Sequence, residues 1–145
     1  MMNINSMQIN RKMIEDINKI FYEKVYDDPW LALYFQVVEK EKIIQQQTDF
    51  MTGALGGENR FAGRKPSKAH PHMYITDELY DLRKSLLIEA LEEVGASQEL
   101  AEAWLRIDEV FRKTIVKKSL SECTGRYRMD PILNFRKPIS YHNPH

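Results

Sequence analysis

Apolar residues recur every three to four positions along much of this chain, which is the period of an amphipathic helix. The first such stretch runs from Arg11 to Asp27. Its apolar face carries Ile14, Ile17, Phe21 and Val25. Pro29 should end this helix, because the residue before a proline avoids the helical conformation. The same proline can open a short second turn over Trp30 to Phe35.

A second helix is predicted from about Glu39 to Leu55, and the pair Gly56-Gly57 should stop it. Its apolar face is defined by Ile43, Phe50, Met51 and Ala54. Residues 58–66 show no periodicity and carry turn-forming residues, so they are predicted to be a loop. The loop leads into a short stretch, Ser67–Thr76, that separates the second helix from the third.

Two longer helices complete the pattern. Thr76 is a good N-cap for a helix that runs to Val94 and that Gly95 ends. Ser97 caps the last helix, which we expect to continue to about Leu120. Its apolar positions are Leu100, Trp104, Ile107, Phe111 and Ile115. No stretch combines strand length, alternation and turn signals, so the predicted fold class is all-α.

The composition narrows the possible partners. The chain has 145 residues, enough for one domain, and its 21 basic and 21 acidic residues give a net charge of +0. This balance provides no electrostatic case for binding nucleic acid or an anionic membrane. The single cysteine, Cys123, excludes an internal disulfide and fits a reducing compartment. No apolar run approaches the roughly 20 residues that cross a bilayer, so we expect a cytoplasmic protein.

The two ends of the chain differ from its middle. Met1–Asn10 is polar, lacks the apolar core of a signal peptide and is expected to be frayed. Residues 121–145 carry three prolines and no clear period. We therefore divide the chain into a domain over residues 1–120 and a C-terminal extension over residues 121–145. The extension has apolar residues with which it could pack on the domain: Ile132, Leu133 and Phe135.

Two polar residues interrupt apolar faces. Gln47 lies in the middle of the second helix's face, three positions before Phe50, and Arg83 lies four positions after Leu79. A buried polar group without a partner costs about 1–3 kcal/mol, so something should meet these side chains. For Gln47 the partner could be facing backbone or buried water, and for Arg83 it could be water or a carboxylate. Alternatively, both faces line a ligand pocket with a few directed polar groups.

The histidines between the helices are weaker evidence. His70 and His72 are two positions apart, which is poor spacing for a shared metal in a helical turn. A lone histidine in a short loop is more often a surface or capping residue than a ligand. The residues alone thus predict a helical domain with a polar-lined pocket and a histidine between helices.

Several short segments nevertheless follow one another in a specific order and spacing. They are Phe21-Tyr22-Glu23-Lys24-Val25, Tyr34-Phe35, Gln47 with Phe50, Ala54-Leu55-Gly56-Gly57, Phe61-Ala62-Gly63-Arg64, Ala69-His70 and Ile75-Thr76. In this arrangement the chain resembles the truncated (2-on-2) haemoglobins, most of all their group I, over roughly Ile17 to Val116. The resemblance implies a globin-like 2-on-2 helical sandwich around haem b.

The resemblance also implies roles for individual residues. His70 corresponds to the proximal ligand of the haem iron. Tyr22 and Gln47 correspond to the residues that hydrogen-bond dioxygen on the opposite, distal side, where Ile43 and Arg83 also lie. The remaining haem contacts implied are Phe35, Phe50, Met51, Ile75, Tyr80 and Leu86, with Arg64 and Lys68 near the propionates. His72 becomes a neighbour of His70 that we expect to face solvent.

The chain departs from the family pattern in three places. The glycine pair that usually precedes the first long helix is missing from Met1–Asn10, and the tail after Val116 is longer than usual. Arg83 stands where the family normally has valine or tryptophan. It could clamp a propionate, reach the bound ligand or pair with a different anion.

The family's function implies a protein that binds dioxygen and other diatomic gases. Slow oxygen release would suit nitric oxide dioxygenation, supported by a reductase, or sensing. Two alternatives stay open: a reversible oxygen carrier or redox sensor, and a globin-like helical interaction module without haem. We expect a monomer or a small homo-oligomer.

Overall fold

The computed structural model of the protein describes residues 10–57, 70–124 and 131–139. The α-helices in these ranges are α1 (Arg11–Asp27), α2 (Lys40–Ala54), α3 (Asp77–Val94), α4 (Gln98–Val110) and α5 (Arg112–Ile115). Short 3₁₀ helices cover Leu31–Phe35 and Leu120–Glu122. The extended contacts are isolated parallel bridges, Met73 with Leu133 and Ile75 with Val116. The all-α prediction is confirmed.

Helix α1 begins and ends where the sequence predicts. The side chain of Asn10 accepts a hydrogen bond of 3.3 Å from a first-turn backbone amide. The helix ends at Asp28, whose backbone is extended before Pro29. The buried Asp28 carboxylate then accepts hydrogen bonds of 2.9 Å from the amides of Trp30 and Leu31. The residue after α1 therefore also caps the first 3₁₀ helix.

The core lies where α1 packs on both α2 and α3. Its fully buried apolar side chains include Ile14, Ile17, Phe21, Val25, Leu79, Leu86 and Leu87. Each such side chain contributes about 1.5–3 kcal/mol by leaving water. A polar contact is buried among them, because Asn18 Nδ2 of α1 donates to Thr48 Oγ1 of α2 at 3.1 Å.

The buried face of α2 is rotated from the predicted one. The structure buries Ile44, Thr48, Met51 and Thr52, whereas Ala54 is exposed. Threonines can occupy this face because their hydroxyls find partners inside the protein. Thr48 accepts from Asn18, and Thr52 Oγ1 donates to the Thr48 carbonyl at 2.6 Å. The prediction for Ala54 was wrong because an apolar pattern ignores hydroxyls that bond within the helix.

The last helical segment is shorter than predicted. Helix α4 ends at Val110, and the four-residue α5 follows after a break at Phe111. Beyond it Val116 is extended and bridges Ile75, whose carbonyl accepts a hydrogen bond of 2.9 Å from the Lys117 amide. A continuous helix to Leu120 was wrong, because this bridge draws the chain into an extended path.

Helices α3 and α4 begin at the predicted caps. Thr76 Oγ1 accepts from the Leu79 amide at 3.2 Å, and Ser97 Oγ accepts from the Leu100 amide at 3.1 Å. Helix α3 ends at Gly95, whose φ of +79° lies in the left-handed region. Within the described ranges, no helix is long and apolar enough to cross a membrane.

Candidate functional site

A cavity of about 540 Å³ lies between α1, α2, α3, α4 and the segment that precedes α3. Its volume falls within the roughly 300–1,000 Å³ of small-molecule and cofactor sites. The predicted site residues that line it are Tyr22, Phe35, Ile43, Gln47, Phe50, Met51, His70, Ile75, Tyr80 and Arg83. The fold therefore gathers side chains from distant parts of the sequence around one space.

Three predicted site residues are not placed at this cavity. Leu86 is 0% exposed and belongs to the core, because it lies almost one helical turn beyond Arg83 and α3 has carried it past the cavity wall. Arg64 and Lys68 fall within residues 58–69, outside the described part of the chain.

Tyr22 supplies a buried hydroxyl on the α1 side. Its ring packs edge-on against Phe21 and Phe35, with centroids 4.8 and 6.2 Å away. Burial raises the pKa of Tyr22 to about 12, although the nearby Arg83 guanidinium opposes the shift. The phenol is therefore a neutral hydrogen-bond donor near neutral pH.

The α2 side of the cavity combines apolar and amide groups. Ile43, Gln47 and Phe50 all line the cavity and are half-buried, in contrast to the fully buried residues that face α1. Gln46 also lines the cavity, although the sequence analysis did not identify it. Gln47 therefore belongs to the cavity wall and not to the α1–α2 contact.

Arg83 pairs with a carboxylate that the sequence analysis missed. Its Nη1 lies 2.5 Å from Oδ1 of Asp108 in α4, and the two side chains are 30% and 6% exposed. Burial lowers the pKa of Arg83, but the Asp108 carboxylate, together with Tyr80 and Tyr22, raises it above its usual value. The guanidinium also lies 5.2 Å from the ring centroids of Phe21 and Tyr80. Of the partners considered for Arg83, the structure thus shows a carboxylate of the chain itself.

The sequence did contain a signal for Asp108. It follows Trp104 by four positions and precedes Phe111 by three, so it interrupts an apolar face as Arg83 does. Its backbone carbonyl also accepts a hydrogen bond of 2.6 Å from the Tyr80 hydroxyl. Two opposite charges on facing apolar stripes could have been predicted to pair.

His70 lies in the segment before α3, half-buried and at the cavity wall. Its carbonyl accepts a hydrogen bond of 2.6 Å from Nζ of the buried Lys117. His72 is only 2% exposed, so the expectation that it faces solvent was wrong. The Leu133 amide, in the C-terminal extension, donates to its carbonyl at 2.8 Å.

The described residues contain no cluster of three or more histidine, cysteine or acidic side chains that could hold a metal ion.

Comparison with known proteins agrees with this geometry. Residues 9–117 match the family described as bacterial-like globin. The chain is 31% identical over 99 residues to a group 1 truncated hemoglobin of Tetrahymena thermophila, covering 68% of this chain and 82% of that protein. It is 30% identical over 84 residues to the group 1 truncated hemoglobin GlbN of Synechocystis sp., covering 55% and 68%.

Solved structures show the same fold. The truncated hemoglobin of Tetrahymena pyriformis in its Fe(III) form is 28% identical, with a TM-score of 0.66 over 72% of this chain and 90% of that one. The 2/2 hemoglobin of Synechococcus sp. PCC 7002, solved in the cyanomet state with covalently attached heme, is 29% identical. It has a TM-score of 0.67 over 74% and 92% of the two chains.

Proposed function

Since this chain belongs to the bacterial-like globin family and to its group 1 truncated haemoglobins, we propose that its cavity binds haem b with His70 as the proximal iron ligand. One observation carries the proposal. His70, from the segment before α3, and Tyr22 and Gln47, from α1 and α2, line the same cavity of about 540 Å³.

The residues present fit such a group. The cavity wall is mostly apolar and aromatic, as a porphyrin face requires, and includes Phe35, Phe50, Met51 and Ile75. The ring of Phe35 is held by Tyr26, whose ring centroid lies 5.5 Å away and whose hydroxyl donates to the Val38 carbonyl at 2.6 Å. With haem held by these residues, its iron would supply a site at which a diatomic gas can bind.

Tyr22 and Gln47, which line the cavity from α1 and α2, would donate hydrogen bonds to a bound dioxygen. A neutral phenol with a raised pKa keeps its proton for donation. Hydrogen bonds are stronger in a cavity of low dielectric than in water, so both donors slow the release of dioxygen. Slow release suits consumption of nitric oxide, in which dioxygen and nitric oxide give nitrate and a reductase supplies one electron for each turnover.

Haemin titration tests the cofactor and its ligand. The protein should develop a Soret band, and His70→Ala should alter the band until added imidazole restores it. His72→Gln is the matched control, because this neighbouring histidine keeps its backbone contact and should leave the band unchanged. Absence of a Soret band would favour the haem-free interaction module, and an unaltered band in His70→Ala would refute the proximal assignment.

Stopped-flow measurement of oxygen dissociation tests the distal donors. Tyr22→Phe and Gln47→Leu should each release dioxygen about five- to tenfold faster, as expected for a lost hydrogen bond of about 1–1.5 kcal/mol. Gln45→Leu, at an exposed position of α2 outside the cavity lining, should change little. Unchanged dissociation in both distal variants would refute the assignment. If nitric oxide is not consumed with a reductase present, the protein is an oxygen carrier or sensor instead.

A further inference from the structure

Lys117 holds the backbone of the segment that carries His70. Its side chain is buried, with the residue 8% exposed, and its Nζ donates to the His70 carbonyl at 2.6 Å and to the Ile115 carbonyl at 3.1 Å. Its backbone amide donates to the Ile75 carbonyl at 2.9 Å. One residue therefore bonds both ends of the stretch from 70 to 75.

The C-terminal extension bonds the middle of the same stretch. The Thr124 amide donates to the Pro71 carbonyl at 2.9 Å. The Leu133 amide donates to the His72 carbonyl at 2.8 Å, and the Leu133 carbonyl accepts from the Tyr74 amide at 2.8 Å. The backbone from His70 to Ile75 thus obtains hydrogen-bond partners from chain far downstream.

Phe135, two residues after Leu133 in the C-terminal extension, is bonded to the domain. Trp30 Nε1 donates to the Phe135 carbonyl at 2.9 Å, and the Phe135 amide donates to the Tyr34 hydroxyl at 3.1 Å. The rings of Tyr34 and Phe135 meet edge-on with centroids 5.0 Å apart. A downstream segment anchored in this way can restrain the residues that it bonds.

We propose that Lys117, together with residues 118–124 and 131–135, forms a strap that fixes the backbone of His70 and so sets the position of its imidazole. Lys117 is the positioning residue, and the proposal rests on the assignment of His70 as the iron ligand. The family match ends at residue 117, so Thr124 and Leu133 belong to chain beyond the region shared with that family. Lys117 is the last residue of the matched region, and the rest of the strap lies beyond it.

A charged donor explains why a lysine is buried here. A hydrogen bond from an ammonium to a carbonyl is about twice as strong as one between neutral groups. The His70 carbonyl also accepts from the Met73 amide at 3.0 Å, so the turn keeps one bond when the lysine is replaced. Lys117→Met should consequently fold but leave the His70 backbone less restrained.

Resonance Raman spectroscopy of the ferrous, haem-loaded protein tests the strap, because the iron–histidine stretching band reports the position of the imidazole. Lys117→Met should shift or broaden this band, and Lys117→Arg, which keeps a cationic donor, should restore most of it. Lys113→Met, which removes an exposed lysine of α5 outside the strap, should leave it unchanged. A band that is the same in Lys117→Met and in the unaltered protein would overturn the proposal.

Amide hydrogen exchange in the same proteins gives a second measurement. The amides of Met73 and Tyr74 should exchange about tenfold faster in Lys117→Met, as expected for loss of one charge-assisted hydrogen bond. Thr124→Pro removes a different donor of the strap, at an exposed position after the extended Cys123, and should also speed this exchange. If the exchange rates of these amides are unchanged in both variants, the strap proposal is refuted.

The two proposals fail in different ways. If His70→Ala leaves the haem spectrum unaltered, the proximal assignment fails, and the positioning role fails with it. If His70 ligates iron but neither the stretching band nor the exchange responds to Lys117→Met and Thr124→Pro, only the strap is refuted.

Discussion

Removing either member of the Arg83–Asp108 pair should destabilise the protein, but by different amounts. The pair joins α3 to α4 through Nη1 and Oδ1 at 2.5 Å, with side chains 30% and 6% exposed. Loss of one partner from a buried ion pair typically costs about 3–5 kcal/mol, because the other charge stays buried without compensation. The difference in exposure decides which single substitution costs more.

Arg83→Met leaves a carboxylate in the interior. Oδ2 of Asp108 is already buried without a hydrogen-bond partner in the described part of the chain, so this variant should lose about 3 kcal/mol. Asp108→Asn leaves a guanidinium that reaches water and still lies over the rings of Phe21 and Tyr80, so the loss should be about 1–2 kcal/mol. The double variant should cost about 2 kcal/mol less than the sum of the two.

Urea denaturation of the haem-loaded proteins, at one haem concentration, measures these free energies of unfolding. The matched control is the ion pair of Lys84 and Glu109, each of which follows a member of the buried pair by one residue. Lys84 Nζ and Glu109 Oε1 are 3.3 Å apart, but their side chains are 33% and 45% exposed. Lys84→Met and Glu109→Gln should each change stability by less than about 1 kcal/mol. Equal losses in Arg83→Met and Asp108→Asn, or additive losses in the double variant, would refute the burial argument.

Further predictions concern the core, a helix end and a titration. Thr48→Val should cost about 1–3 kcal/mol in urea denaturation, because Asn18 loses its buried acceptor. Gly95→Ala should cost about 1 kcal/mol, because an added Cβ meets no neighbour and only the left-handed φ of +79° is strained. The raised Tyr22 pKa adds stability below pH 10 that is lost as pH rises towards about 12, so Tyr22→Phe should show a flatter alkaline unfolding profile.

Periodicity and capping were enough to predict most helices. The predicted bounds of α1 are those of the structure, and the caps Thr76, Gly95 and Ser97 are confirmed. These features are local, because a cap or a proline acts within one helical turn. The same local signals placed Arg83 on an apolar stripe, which the structure shows as part of the cavity wall.

What the sequence could not show depends on contacts between distant residues. Nothing near Val116 in the sequence predicts that the chain becomes extended there, because its bridge to Ile75 requires the folded arrangement. His72 was expected at the surface, but it is buried, and its carbonyl accepts from Leu133, 61 positions further along the chain. The rotated face of α2 likewise depends on an Asn18–Thr48 contact across two helices.

The Arg83–Asp108 pair also affects which ligands the cavity suits. A lone guanidinium in the wall would favour an anion and would have to be compensated by a propionate or by the ligand itself. With Asp108 at 2.5 Å, the charge is compensated within the chain, and the pair is neutral as a whole. The Tyr22 phenol beside it is also neutral, since burial raises its pKa to about 12. This side of the cavity therefore offers hydrogen bonds without net charge from these residues, which suits the proposed binding of a neutral diatomic gas better than binding of an anion.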